Sequence, residues 1–163
     1  MPVSEALERL LVAAKPFKAV QDISLNDARG QYLASPVHAR VDVPAFDNAA
    51  VDGVALRYAD LDEPGLTLPM HLRVAAGDPP ATLMPGQVAR IFTGAVIPPG
   101  ADCVVAQEDC ELGDGGVRIG VTPAPRQHIR PRGQDIARGA RVIAAGRRLS
   151  AADLGLLASV GVA

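Results

Sequence analysis

Apolar residues near the amino terminus recur at helical spacing. Ala6, Leu7, Leu10, Leu11 and Ala14 fall on one face. Ser4 stands where a cap belongs, so a helix is expected over residues 4–14, with Pro16 stopping it. A helical turn is expected at 26–30, with Leu33 beyond it. Strict alternation of Val37, Ala39, Val41 and Val43 predicts a strand over 37–43, closed by Pro44. Residues 45–59 show no clear period and contain Asp-Asn and Asp-Gly pairs, which predicts an ordered loop. Strands are expected at 71–75 and 87–91, punctuated by Pro79-Pro80 and Pro85-Gly86. Pro98-Pro99-Gly100 reads as a turn. Asp114-Gly115, flanked by 103–112 and 116–121, is the strongest hairpin signal in the chain. A short strand at 142–144 precedes Ser150, which opens a second helix. Asp153 stands three residues on, as in a capping box. Leu154, Leu157 and Ala158 share a face, and Gly161 ends the helix.

The layout is helix, long β-rich middle, helix. It predicts an α+β, β-rich fold. The outer segments, 1–46 and 136–163, are expected to pack as an elongated helix-containing base, and 47–135 to form an inserted β lobe. Composition narrows the picture. Apolar residues make up 48% of the 163 positions but aromatics only 3%, so Ala, Val, Leu and Ile must build the core. Sixteen Gly and fourteen Pro call for many turns and argue against a helix bundle. Surface scaling gives a compact chain of this size roughly 7,700 Å² of exposed area.

Charge and cysteine content exclude several function classes. A net charge of −2 and few aromatics argue against a nucleic-acid binder with a base-stacking surface. No 18-residue apolar run predicts a membrane span. The acidic start, with Glu5 and Glu8, is unlike a secretory signal, so a cytoplasmic location with reduced thiols is expected. Cys103 and Cys110 do not make a CxxC, and the three histidines stand far apart. The only lysines, Lys15 and Lys18, leave no phosphate-loop lysine. The dinucleotide, nucleophile-elbow and zinc-protease motifs are missing as well.

Three constellations remain. In and just before VPAFDNAAVDGVA (43–55), Asp42, Asp47 and Asp52 recur every five residues. A sharp turn that brought Asp47 and Asp52 together would offer two hard carboxylates to Mg²⁺. The same residues are also common turn formers that bond their own backbone, and spacing leaves both readings open. In ARIFTGAVIPPGADCVVAQED (89–109), Gly94 permits close approach of a ligand and the Thr93 hydroxyl can donate to an anion. A plain strand-loop-strand is the alternative. Residues 126–148 hold seven arginines and one acid, Asp135. That is a local charge of +6, which leaves −8 for the rest of the chain. Such a run suits an oxyanion, or simply a solvated face in which Asp135 is an ion-pair partner.

These segments, in this order, resemble the molybdopterin molybdotransferase family, which includes the bacterial enzyme MoeA and the E domain of gephyrin. PAFDNAAVDGVA (44–55), RIFTGAVIPPGADCVVAQE (90–108) and HIRPRGQDIARG (128–139) carry the resemblance. Departures from the family pattern are Ala49 for Ser, Val51 for Met, Val54 for Tyr and Gln134 for Glu. The resemblance implies molybdenum cofactor biosynthesis: insertion of molybdate into adenylylated molybdopterin (molybdopterin-AMP), with AMP released and Mg²⁺ assisting. It places Asp52 and Thr93 at catalytic positions, with Asp52 as a Mg²⁺ ligand. Gly94, Arg130 and Asp135 fall at substrate-binding positions.

Family members are longer, with a pterin-binding α/β domain and a carboxy-terminal β domain that these residues lack. The resemblance therefore implies a homodimer in which this segment supplies one wall of a shared site and is inactive alone. A non-catalytic dimerisation or scaffold module of the same fold is the competing reading. Neither nucleic acid nor membrane is expected as a partner.

Overall fold

The computed structural model describes residues 1–15, 19–61, 65–79 and 81–163. Its helices are α1 (Val3–Ala13) and α2 (Ala151–Ser159). Its strands are β1 (Val37–His38), β2 (Asn48–Ala49), β3 (Gly53–Leu56), β4 (Thr67–Leu68), β5 (Met70–Val74), β6 (Val88–Ile91), β7 (Cys103–Ala106), β8 (Cys110–Gly113), β9 (Gly116–Ile119), β10 (Ile129–Arg130) and β11 (Arg141–Ile143). The mixed, sheet-rich fold class expected from sequence is the one observed.

The centre is a four-stranded sheet in the order β5-β6-β3-β7. β3 pairs antiparallel with both neighbours, and β5 runs parallel to β6. Alternation assigns each side chain to one of two faces. Ala55, Ala89, Ile91, Val74 and Val104 point into one apolar cluster, with Leu83 and Ala95. Val54, Leu56, Val88, Cys103 and Val105 point into the other, where Leu68, Val117 and Ile119 of the sheet β4-β9-β8 cover them. β3 is therefore buried on both faces. This corrects the expectation of a loop over 45–59: a strand covered on both sides has no polar alternation to reveal it. At Gly53 a Cβ would lie 2.0 Å from the Val105 carbonyl oxygen, so β3 and β7 meet only because no side chain intervenes.

The hairpin around Asp114-Gly115 is present, with Gly113 opposite Gly116. Its first arm is broken. Residues Gln107–Asp109 form a 3₁₀ turn, and the chain passes from β7 in one sheet to β8 in the other. The strand expected over 37–43 shrinks to Val37–His38, paired with β11, plus a single bridge from Val43 to Ile136. The Val43–Pro44 peptide is cis. The turn expected at 26–30 is a 3₁₀ turn at Leu25–Asp27, with the Ser24 side chain accepting from the Asn26 N–H.

The helices differ from each other. α2 has the full capping box. The Ser150 hydroxyl oxygen accepts from the Asp153 N–H, and Asp153 accepts from the Ser150 N–H at 2.8 Å. It ends in a Schellman motif: the Val162 N–H donates to the Leu157 carbonyl and the Gly161 N–H to that of Ala158. Leu157 packs with Ala28, Ile143 and Leu149 in a third apolar cluster, while Ala158 is exposed. α1 starts from Pro2 rather than Ser4, with no side-chain cap, and buries none of its residues. Pro16, expected to stop it, and Pro80 lie outside the described residues. The chain exposes 10402 Å², about a third more than the compact-chain scaling gives.

Candidate functional site

The three motifs, tens of residues apart in sequence, meet through backbone hydrogen bonds around β2. On one side β2 pairs with β10, Ala49 opposite Ile129 and Asn48 opposite Arg130. On the other, the Ala49 N–H donates to the Ala95 carbonyl, the Gly94 N–H to that of Ala49, and the Ile97 N–H to that of Asp47. The loop of the first motif is thus held between the second and the third.

Asp52 stands one residue before β3, on the face that carries Val54 and Leu56. Its Oδ1 accepts two hydrogen bonds from Thr93, from the backbone N–H at 2.8 Å and from the hydroxyl at 2.7 Å. These bonds, the hydroxyl's first, hold the Asp52 carboxyl below its ordinary range, and the nearby Arg90 charge adds to the effect. Oδ2 makes no hydrogen bond to a described residue. Thr93 and Gly94 form the exposed tip of a turn closed by the Ala95 N–H to the Phe92 carbonyl. Gly94 has φ +81°, which L side chains rarely adopt. A Cβ there would have room, its nearest neighbour being 3.9 Å away, so glycine is needed for the turn rather than for clearance within the chain. The Thr93 hydroxyl, expected to donate to an anion, donates to the chain's own carboxylate.

Arg130 and Asp135 form a second pair. One guanidinium nitrogen of Arg130 lies 2.9 and 2.8 Å from the two Asp135 oxygens. Among the described residues no hydrogen bond or ion pair joins this pair to Asp52–Thr93. Asp47 shares no partner with Asp52. It accepts from the Arg132 N–H and the Arg126 guanidinium, and these contacts lower its pKa. The pairing of Asp47 with Asp52 suggested by the turn residues is therefore not what the fold uses. Asp42 accepts from the Arg138 N–H and the Arg132 guanidinium, and its carboxyl too sits below the ordinary range. With Arg147 on Asp153, four of the seven arginines in 126–148 are matched to carboxylates. The basic field inferred from counting residues is about halved by Asp42, Asp47 and Asp153, the first two of them distant in sequence.

Both thiols are held protonated: burial pushes Cys103 up to about 12 and Cys110 up to about 11. Neither suits a nucleophile. Among the described residues no group of three or more His, Cys, Asp or Glu is placed to hold a metal ion. Asp52 could still give one oxygen to Mg²⁺, which takes one or two carboxylates and completes its shell with water and substrate phosphates. A cleft of about 870 Å³ lies elsewhere, between residues 19–40 and the end of α2. The Asn48 Oδ1 is buried without a hydrogen-bond partner among the described residues. No helix is long and apolar enough to cross a membrane, among the described residues.

Sequence reading missed Arg73, Arg90 and Phe92. Phe92 is next to Thr93, and both guanidinium groups lie over its ring. The one available hint was that Arg90 and Phe92 are two apart, and so on one side of a strand.

The family model for the MoeA N-terminal region (domain I and II) matches residues 1–161. A molybdopterin molybdenumtransferase of Nostoc sp. is 40% identical over 147 residues, covering 85% of this chain and 34% of the relative. That of Haemophilus influenzae is 38% identical over 163 residues, covering 98% and 39%. The crystal structure of a molybdopterin biosynthesis moeA protein from Pyrococcus horikoshii superposes with a TM-score of 0.88 at 30% identity, covering 99% of this chain and 44% of that one. The chain spans about two fifths of the length of such relatives. On sequence and fold together, the chain belongs to the MoeA N-terminal family, the portion built of domains I and II.

Proposed function

We propose that this chain serves molybdenum cofactor biosynthesis in the cytoplasm. It supplies one wall of the site at which molybdate enters adenylylated molybdopterin and AMP leaves. The observation that carries the reading is the Asp52–Thr93 pair, an ionised carboxylate fixed at an exposed turn with one oxygen unengaged.

Each residue has a task its geometry suits. Thr93 orients Asp52 through two hydrogen bonds and keeps it charged. A carboxylate so stabilised is a poor general base and a good cation ligand. Mg²⁺, when held by Asp52, would neutralise phosphate oxygens of the nucleotide. Gly94 sets the turn that presents Thr93, and Arg130 and Asp135 line the neighbouring stretch of the wall. A second copy of the longer protein would supply the opposing wall in a homodimer.

The alternative, a non-catalytic dimerisation or scaffold module, draws on α1. Leu7, Leu10 and Leu11 are each more than half exposed there.

AMP release from adenylylated molybdopterin with molybdate and Mg²⁺ separates the readings. Residues 1–163 alone should be inactive. Joined to the remaining part of the Haemophilus influenzae relative, they should be active, and Asp52→Asn in that chimera should lower the rate at least tenfold, about what loss of one charged ligand contact gives. Activity from residues 1–163 alone, or a wild-type rate for Asp52→Asn, would overturn the proposal.

A further inference from the structure

We propose that Arg73 and Arg90, stacked on Phe92, form a subsite for a tetrahedral oxyanion beside Asp52. The inference rests on the reading of Asp52–Thr93 as a substrate-facing wall and extends it to residues other than the site positions assigned above.

The register of the central sheet builds the subsite. Arg90 on β6 lies opposite Val54 on β3 and beside Arg73 on β5. Val54 belongs to the apolar cluster covered by β4-β9-β8, so both arginines lie on that same face, nearer its open end. Asp52, Phe92 and Gln107 each stand two positions beyond a residue of this rung, namely Val54, Arg90 and Val105. The Gln107 N–H donates to the Asp52 carbonyl, which ties their strands together at that level.

The guanidinium carbons of Arg73 and Arg90 lie 4.7 and 5.2 Å from the Phe92 ring centre. Stacking fixes the guanidinium planes while leaving their in-plane N–H groups free to donate. Arg90 gives one N–H to the Gln107 side-chain oxygen, and Gln107 donates to Glu108 at 3.4 Å. Arg73 gives none to a described residue. Every ion pair among the described residues uses a different arginine: Arg9, Arg57, Arg118, Arg126, Arg130, Arg132 or Arg147. Two positive groups on neighbouring strands thus share one ring, and no described carboxylate is bonded to either. Paired guanidinium forks fit a doubly charged tetrahedral oxyanion. A phosphate ester and a free metal oxyanion share that chemistry.

The test titrates the 163-residue chain with inorganic phosphate, AMP and sodium molybdate at constant ionic strength, following the arginine Nε–Hε NMR signals. The Arg73 and Arg90 signals should move saturably. Arg73→Gln, an exposed position, and Arg90→Gln should each weaken binding about tenfold or more. Phe92→Leu should weaken it with every charge retained, while Arg141→Gln on β11 should bind as wild type. Saturation by phosphate and AMP alone assigns a phosphate ester, and saturation by molybdate alone assigns the inorganic oxyanion. Absence of saturable shifts with all three probes, or undiminished affinity in Arg73→Gln, overturns the proposal.

The two readings fail separately. Loss of oxyanion binding in Arg73→Gln together with a wild-type rate for the Asp52→Asn chimera would sustain the subsite and overturn the role of Asp52. A slow Asp52→Asn chimera with no oxyanion binding at the arginines would do the reverse.

Discussion

The sheet around β3 and the region around the two helices bury their apolar residues to different depths. Val54, Ala55 and Leu56 are fully enclosed, with apolar residues of the same chain on both faces. In the helical region Leu157 and Val160 of the α2 end are just as enclosed, but Ala28, Ile143 and Leu149 keep 5–6% of their surface, a wide cleft lies alongside, and α1 buries nothing. The sheet is a finished structure. The helical region is satisfied on one side only, and α1 adds a helix with no buried residue to the surface. Asp52 and Thr93 hang from the finished part, so the site inherits the stiffness of a closed core rather than the openness of the helical end.

Substitutions in the two regions should separate them sharply. Gly53→Ala drives a methyl into the Val105 carbonyl. It should cost about 3 kcal/mol or more, read as a drop in the urea midpoint. The Asp52–Thr93 bonds should be lost with it, since Asp52 is the next residue. Ser150→Ala removes half of the capping box of α2 and should cost about 1 kcal/mol. The partner Asp153 adds a pH signature. The Ser150 hydroxyl and N–H, then Arg147, hold its carboxyl at about 2, well below the ordinary aspartate range. A depressed folded-state pKa stabilises above the unfolded value and is lost as pH falls. The thermal midpoint should therefore decline between about pH 4 and pH 2, and Asp153→Asn should flatten that part of the profile. Leu10→Ala on α1 should fall within about 0.5 kcal/mol of wild type. A loss as large as a core truncation would mean that α1 is covered in solution.

The elements legible in the sequence are those whose signal is local. The Asp114-Gly115 turn and the Ser150/Asp153 box are read from adjacent residues, and both stand in the structure. β3 was illegible because Gly-Val-Ala-Leu, buried on both faces, carries no alternation. α1 followed its helical spacing almost to the residue, yet its apolar face has no partner here, something periodicity cannot report. At the site, the motifs named Asp52 and Thr93 but not the bonds between them, 41 positions apart. The arginine run misled for the same reason. Asp42 and Asp47, which neutralise Arg132 and Arg126, lie 90 and 79 positions away. Arg73 and Arg90 become a pair only through the β5–β6 register, a tertiary choice made by the core.

The antiparallel contacts between 30–33 and 146–149 also set an order of events. The Gly30 N–H donates to the Leu149 carbonyl and the Leu33 N–H to that of Arg147. A ribosome adding about 5–20 residues per second needs roughly 6–24 s to travel between those partners. During that interval the early segment has nothing to pair with, while every strand of the central sheet has already been made. The sheet can close first, and by folding it draws Leu33 and Arg147 nearer than a free chain would allow, which lowers the entropy lost when they finally meet. The middle of the sequence thereby acts as a clamp assembled in time to join the beginning to the end.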